Sequence, residues 1–127
     1  MNKTELNALN KRLAELLGYR IATTFDFKPK AGDVYVAGRC TPDHIGTVYR
    51  SASQPGYFYK FTPTTDKTHA MELLKDFELS LEYVKGAAEG RQWQCWKPMI
   101  FGSRQTANTP MEAIVRAIIK LLEASHD

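Results

Sequence analysis

Residues 109–122 read Thr109-Pro110-Met111-Glu112-Ala113-Ile114-Val115-Arg116-Ala117-Ile118-Ile119-Lys120-Leu121-Leu122. This stretch carries a complete helix start. The Thr109 hydroxyl can accept from a free amide of the first turn. Pro110 suits the first helical position, where no N–H is needed, and Glu112 stands where a capping-box acid belongs. Met111, Ile114, Val115, Ile118, Leu121 and Leu122 recur at three- and four-residue steps, giving one broad apolar face that must be covered. The cover lies just upstream. Leu79, Leu81 and Tyr83 alternate with Ser80, Glu82 and Val84, a turn runs from Gly86 to Gly90, and Arg91 to Trp96 returns as the second arm of a hairpin. Met99-Ile100-Phe101 extends this sheet after Pro98, at an edge or bend.

Further out, Thr64-Thr65-Asp66 opens a second helix whose buried face is Ala70, Leu73, Leu74 and Phe77. Tyr57 to Phe61 is a dense aromatic strand, Val34 to Ala37 a shorter one, and Ile21, Thr23, Phe25 and Phe27 alternate with smaller or polar residues. Between them, residues 41–56 form a looser, extended or loop-rich excursion. At the start, Asn2 and Glu5 have capping-box spacing, Leu6, Leu9, Leu13, Leu16 and Leu17 form a stripe, and Gly18 stops the helix. The prediction is an α+β fold, an antiparallel sheet covered by helices in the order α, several β, α, β-hairpin, α. All 127 residues are expected in a single domain.

Composition narrows the function classes. A hydrophobic content of 43% with 24% charge excludes disorder. No apolar run approaches the ~18–20 residues of a membrane span, and residues 1–18 read as a charged amphipathic helix rather than a leader. The expectation is a cytoplasmic protein with no membrane partner. A net charge of +3 is mild, so a nucleic-acid partner is not expected. Cys40 and Cys95 stand apart, and His44, His69 and His126 lack the spacing of zinc ligands, so no metal or cofactor is predicted. Two half-buried thiols are expected, with one long-range disulfide left open.

Catalysis finds little to work with. No nucleophile elbow, phosphate loop or dinucleotide fingerprint occurs. Asp43-His44 is the one acid–His neighbour pair, and in a loop it is ordinarily solvated. His69, at the edge of an apolar helix face, reads as a structural imidazole. The chain is therefore read as a non-enzyme.

A different pattern carries more. No Asp or Glu occurs between Asp43 and Asp66, nor between Glu89 and Glu112. Those windows hold Arg50, Lys60, Arg91, Lys97 and Arg104, with eight of the fourteen aromatics. Cations without local acids leave positive potential, and aromatic faces offer stacking, which together suit an anion bearing a π-system. Trp93 and Trp96 are three apart, so one regular strand sends them to opposite faces, and at most one of them lines a site while the other packs in the core. Arg116 and Lys120, four apart on the last helix, can hold one diphosphate-like group, unless Glu112 takes Arg116 as an i, i+4 partner. The same aromatics and cations also serve as ordinary strand residues and edge guards.

The stretch from Phe61 to Asp66, with the helix His69-Ala70-Met71-Glu72-Leu73-Leu74, resembles a recurring segment of the phage ABA-sandwich small proteins. Thr109 to Ala117 resembles that family's closing segment, a capped helix carrying Ala-Ile-x-Arg-Ala, and the opening leucine helix fits as well. The resemblance spans about two-thirds of the chain, and its motifs are caps and packing positions, which specify fold. Residues 21–61 form a longer span than the family usually has. In general outline the chain also resembles the Thoeris anti-defence sponges, oligomeric phage proteins that sequester nucleotide signals.

These resemblances imply a phage-encoded protein of the infected bacterial cytoplasm. It would form a homo-oligomer and bind a small nucleotide, of cyclic ADP-ribose or cyclic oligonucleotide type, without cleaving it. Arg116, Lys120 and Arg104 are assigned to phosphates, and Tyr57, Tyr59, Phe101 or Trp96 to base stacking. The alternative is a protein-interaction module working through the same aromatics.

Overall fold

The computed structural model describes residues 2–22, 32–37, 48–50 and 57–125. The fold is mixed α+β, with helices and strands in the predicted order. Two antiparallel sheets, of four and three strands, stand where one was expected. They belong to two compact units, Met1–Thr62 and Pro63–Asp127.

In the first unit, α1 spans Lys3–Leu16. Its cap is the predicted one: the Glu5 amide donates to Asn2 Oδ1 at 2.9 Å, and Asn2 Nδ2 donates back to Glu5 Oε1 at 3.3 Å. Gly18, at φ +83°, ends the helix in the left-handed region that glycine occupies without strain. Strands β1 (Arg20–Ile21), β2 (Tyr35–Ala37), β3 (Val48–Arg50) and β4 (Tyr57–Lys60) follow, and the sheet order is β1-β2-β4-β3. Leu13, Val36 and Phe61 are fully buried, and the Tyr19 ring meets Phe61 edge-on at 5.6 Å. Within the excursion at 41–56, Val48-Tyr49-Arg50 is extended and forms an edge strand against β4. Its Asp43-His44 pair, Cys40, and the Thr23, Phe25 and Phe27 alternation lie outside the described residues, as does His126.

In the second unit, Asp66 caps α2 (Lys67–Asp76) by accepting from the His69 amide at 3.1 Å. Strands β5 (Ser80–Tyr83), β6 (Trp93–Trp96) and β7 (Gln105–Ala107) form a sheet in that order, and α3 (Pro110–Ser125) packs on β6, β7 and α2. Thr109 Oγ1 accepts from the Glu112 amide at 3.2 Å, as the sequence predicts. The covered face of α3 is wider than the predicted stripe. Ala113 and Ala117 are buried with Ile114, Val115 and Ile118, while Leu121 and Leu122 are only half-covered. Each buried Ile or Val contributes about 1.5–3 kcal/mol by leaving water.

Met99-Ile100-Phe101 does not extend the sheet. It forms the turn between β6 and β7, and the third strand is Gln105–Ala107 instead. Met99 and Gly102 sit at φ +71° and +80°, outside strand geometry. Ser103 latches the turn, its hydroxyl accepting from the Lys97 amide at 3.0 Å and donating to the Ile100 carbonyl at 2.8 Å.

Candidate functional site

Strand β6 sorts its side chains with a period of two. Trp93 and Cys95 share one face with their register partners Tyr83, Leu81, Ala107 and Gln105. Cys95 and Ala107 are buried there, on the side where α3 packs. Gln94 and Trp96 leave by the other face, beside Glu82 and Thr106, both exposed. The sheet thus has one face covered by α3 at Cys95 and Ala107 and one open face. The two tryptophans lie on opposite faces, but Trp93, beside the exposed Tyr83, is half-buried rather than packed in the core.

The open face carries a cation set against an aromatic ring. Arg104, immediately before β7, lays its guanidinium 4.3 Å from the Trp96 ring centroid. Its Nη1 donates to Gln94 Oε1. These two neutral partners orient the cation without spending its charge, and no carboxylate among the described residues pairs with it. A guanidinium has five N–H donors, so one bond to Gln94 leaves an edge for an anion.

Other cations are placed differently. Arg116 Nε lies 3.1 Å from Glu112 Oε2, so its charge is met within α3 by a nearly buried carboxylate. Lys97 Nζ donates to the Phe77 carbonyl at 2.7 Å, with Glu78 Oε2 at 3.8 Å. Lys60 lies 3.0 Å from the buried Asp33 carboxylate, and Lys3 reaches the same group at 3.6 Å.

The structure therefore brings Arg104 and Trp96 together. Phe101 stands at the same end of the sheet, in the turn that joins β6 to β7. Met99 and Phe101 are 93% and 102% exposed, so this turn offers apolar surface that no described residue covers. Arg116 and exposed Lys120 belong to α3, with the sheet between that helix and the open face. Tyr57 and Tyr59 are positions of β4, in register with Arg50 and Val48, in the first unit. The two acid-free windows accordingly fall largely in different units.

Cys95 is a free, fully buried thiol rather than a half-buried one. Burial pushes its pKa up from 9.0 to about 12, so it stays protonated and unreactive at neutral pH. Among the described residues, no three His, Cys, Asp or Glu side chains group as a metal site. None of the described helices is long and apolar enough to cross a membrane.

Two features escaped the sequence reading. Gln94 gains its role only from the β6–β7 register, which sets it beside Arg104. A cleft of about 460 Å³ in the first unit, between α1 and the start of β2, is lined by Lys3, Asn7, Lys11 and Asp33. Comparison with known families, curated proteins and solved structures finds no match for this chain.

Proposed function

We propose that this protein is a binding protein that captures a small nucleotide on the open face of the β5–β7 sheet and does no chemistry on it. One observation carries the reading: among the described residues, Arg104 is oriented by the neutral Trp96 and Gln94 and meets no carboxylate, so it keeps its charge for a phosphate beside an aromatic surface. Resemblance to the phage ABA-sandwich proteins and the anti-defence sponges supports the biological setting. There the chain, as a homo-oligomer in the infected bacterial cytoplasm, would sequester a host immune signal of cyclic ADP-ribose or cyclic oligonucleotide type.

A thermal-shift screen with cyclic ADP-ribose isomers and cyclic di- and trinucleotides tests this. A ligand at a hundred times its dissociation constant adds about 2.7 kcal/mol, a shift of several degrees for a chain of this size. The proposal expects such a shift with the ligand recovered intact from heat-denatured protein. Altered ligand would mean an enzyme, and no shift with any nucleotide would remove the reading.

The exposed Met99-Ile100-Phe101 turn favours a second reading, a protein-interaction module, since fully exposed apolar side chains on a latched turn are typical contact anchors. That reading expects a defined protein complex that dissociates when Phe101 is replaced by Ser, and no nucleotide shift.

A further inference from the structure

The Trp96 face that a base would seek is already occupied by Arg104. Two outcomes are possible on ligand binding. Either the base displaces the guanidinium, or it stacks on the guanidinium's outer face. Arg104 is exposed, its guanidinium carbon lies over the Trp96 ring and its Nη1 is tied to Gln94. Displacement would break both anchors at once, whereas stacking outside breaks neither.

Resting on the nucleotide reading above, we infer that the ligand completes a three-layer stack of Trp96 indole, Arg104 guanidinium and ligand base. The ligand's phosphate lies at the guanidinium edge that Gln94 does not use. Arg104 is then the residue that selects a base and a phosphate held within one nucleotide unit. An ammonium could take the phosphate but has no flat face to offer the base. The site therefore favours nucleotides over sugar phosphates, and the preference belongs to the shape of the guanidinium rather than to its charge.

The test follows the Arg104 δ-methylene proton signal, which takes no part in the phosphate hydrogen bonds, by NMR during titration with cyclic ADP-ribose, cyclic di-AMP and AMP, with ribose 5-phosphate as control. Isothermal titrations of wild type and Arg104→Lys accompany it, after amide spectra confirm that the variant is folded. The stack predicts that the Arg104 signal, already shifted by the Trp96 ring current, moves further in the same direction when a nucleotide binds. It also predicts that Arg104→Lys loses at least tenfold in nucleotide affinity, leaving nucleotide and ribose 5-phosphate about equal. A return of the signal to its free-chain position, with the nucleotide preference kept in Arg104→Lys, would overturn the stack and leave nucleotide binding standing. Absence of binding by every nucleotide would overturn the stack and the proposed function together.

Discussion

The two faces of the β5–β7 sheet are made by alternate residues of the same short strand, and they solve opposite problems. Cys95 is enclosed under α3, whereas Trp96, its neighbour, is half-open beneath Arg104. On the covered face, stability comes from removing apolar surface from water, and a change of one methylene is felt. On the open face, the cation is held by a ring and an amide, and little folding energy depends on it. Packing and the proposed recognition are thus separable within four residues, and mutations can read them apart.

The largest expected effect lies on the covered side. Ile118→Ala removes a fully buried side chain from α3 and is expected to cost about 2–5 kcal/mol, measured by urea denaturation. Next comes the Cys95 thiol. Its pKa is raised from 9.0 to about 12, so its contribution is fully present below about pH 9. Above that, the unfolded chain releases a proton that the folded one keeps. Stability should fall by about 1.4 kcal/mol per pH unit until the folded thiol itself ionises. Comparing the pH slopes of wild type and Cys95→Ala isolates this contribution, and an equal slope in the two would contradict it. Thr109→Ala removes the α3 cap and is expected to cost about 1 kcal/mol in the same denaturation assay. Arg104→Ala, on the open face, should change stability by less than about 0.5 kcal/mol. A larger loss would mean that Arg104 is part of the fold rather than reserved for a ligand.

Much of the fold was legible because its signals are local. Asn2, Asp66 and Thr109 cap the three helices, and each cap bonds an amide three residues ahead, within reach of any sequence window. The β5–β6 hairpin was also legible, through alternation. What escaped was decided by pairing. Gln105-Thr106-Ala107 has no strand pattern of its own and becomes a strand through its register with β6. Met99-Ile100-Phe101 has strand-like residue types but yields to the positive φ of Met99 and the Ser103 latch.

The candidate site divides in the same way. Trp96 and Arg104 stood out by aromatic content and missing acids, yet their contact depends on the turn that reverses the chain between them. Arg116 carries an equally visible charge, and its side-chain geometry decides for the i, i+4 pairing with Glu112 that the sequence had offered as the alternative.

That contrast between two arginines supplies the most direct test of nucleotide capture on the open face. The measurement is isothermal titration of wild type, Arg104→Ala and Arg116→Ala with whichever cyclic nucleotide gives the largest thermal shift. The account predicts at least a tenfold loss of affinity in Arg104→Ala and wild-type affinity in Arg116→Ala. Undiminished binding by Arg104→Ala would contradict it, and a loss confined to Arg116→Ala would move the site to the outer side of α3.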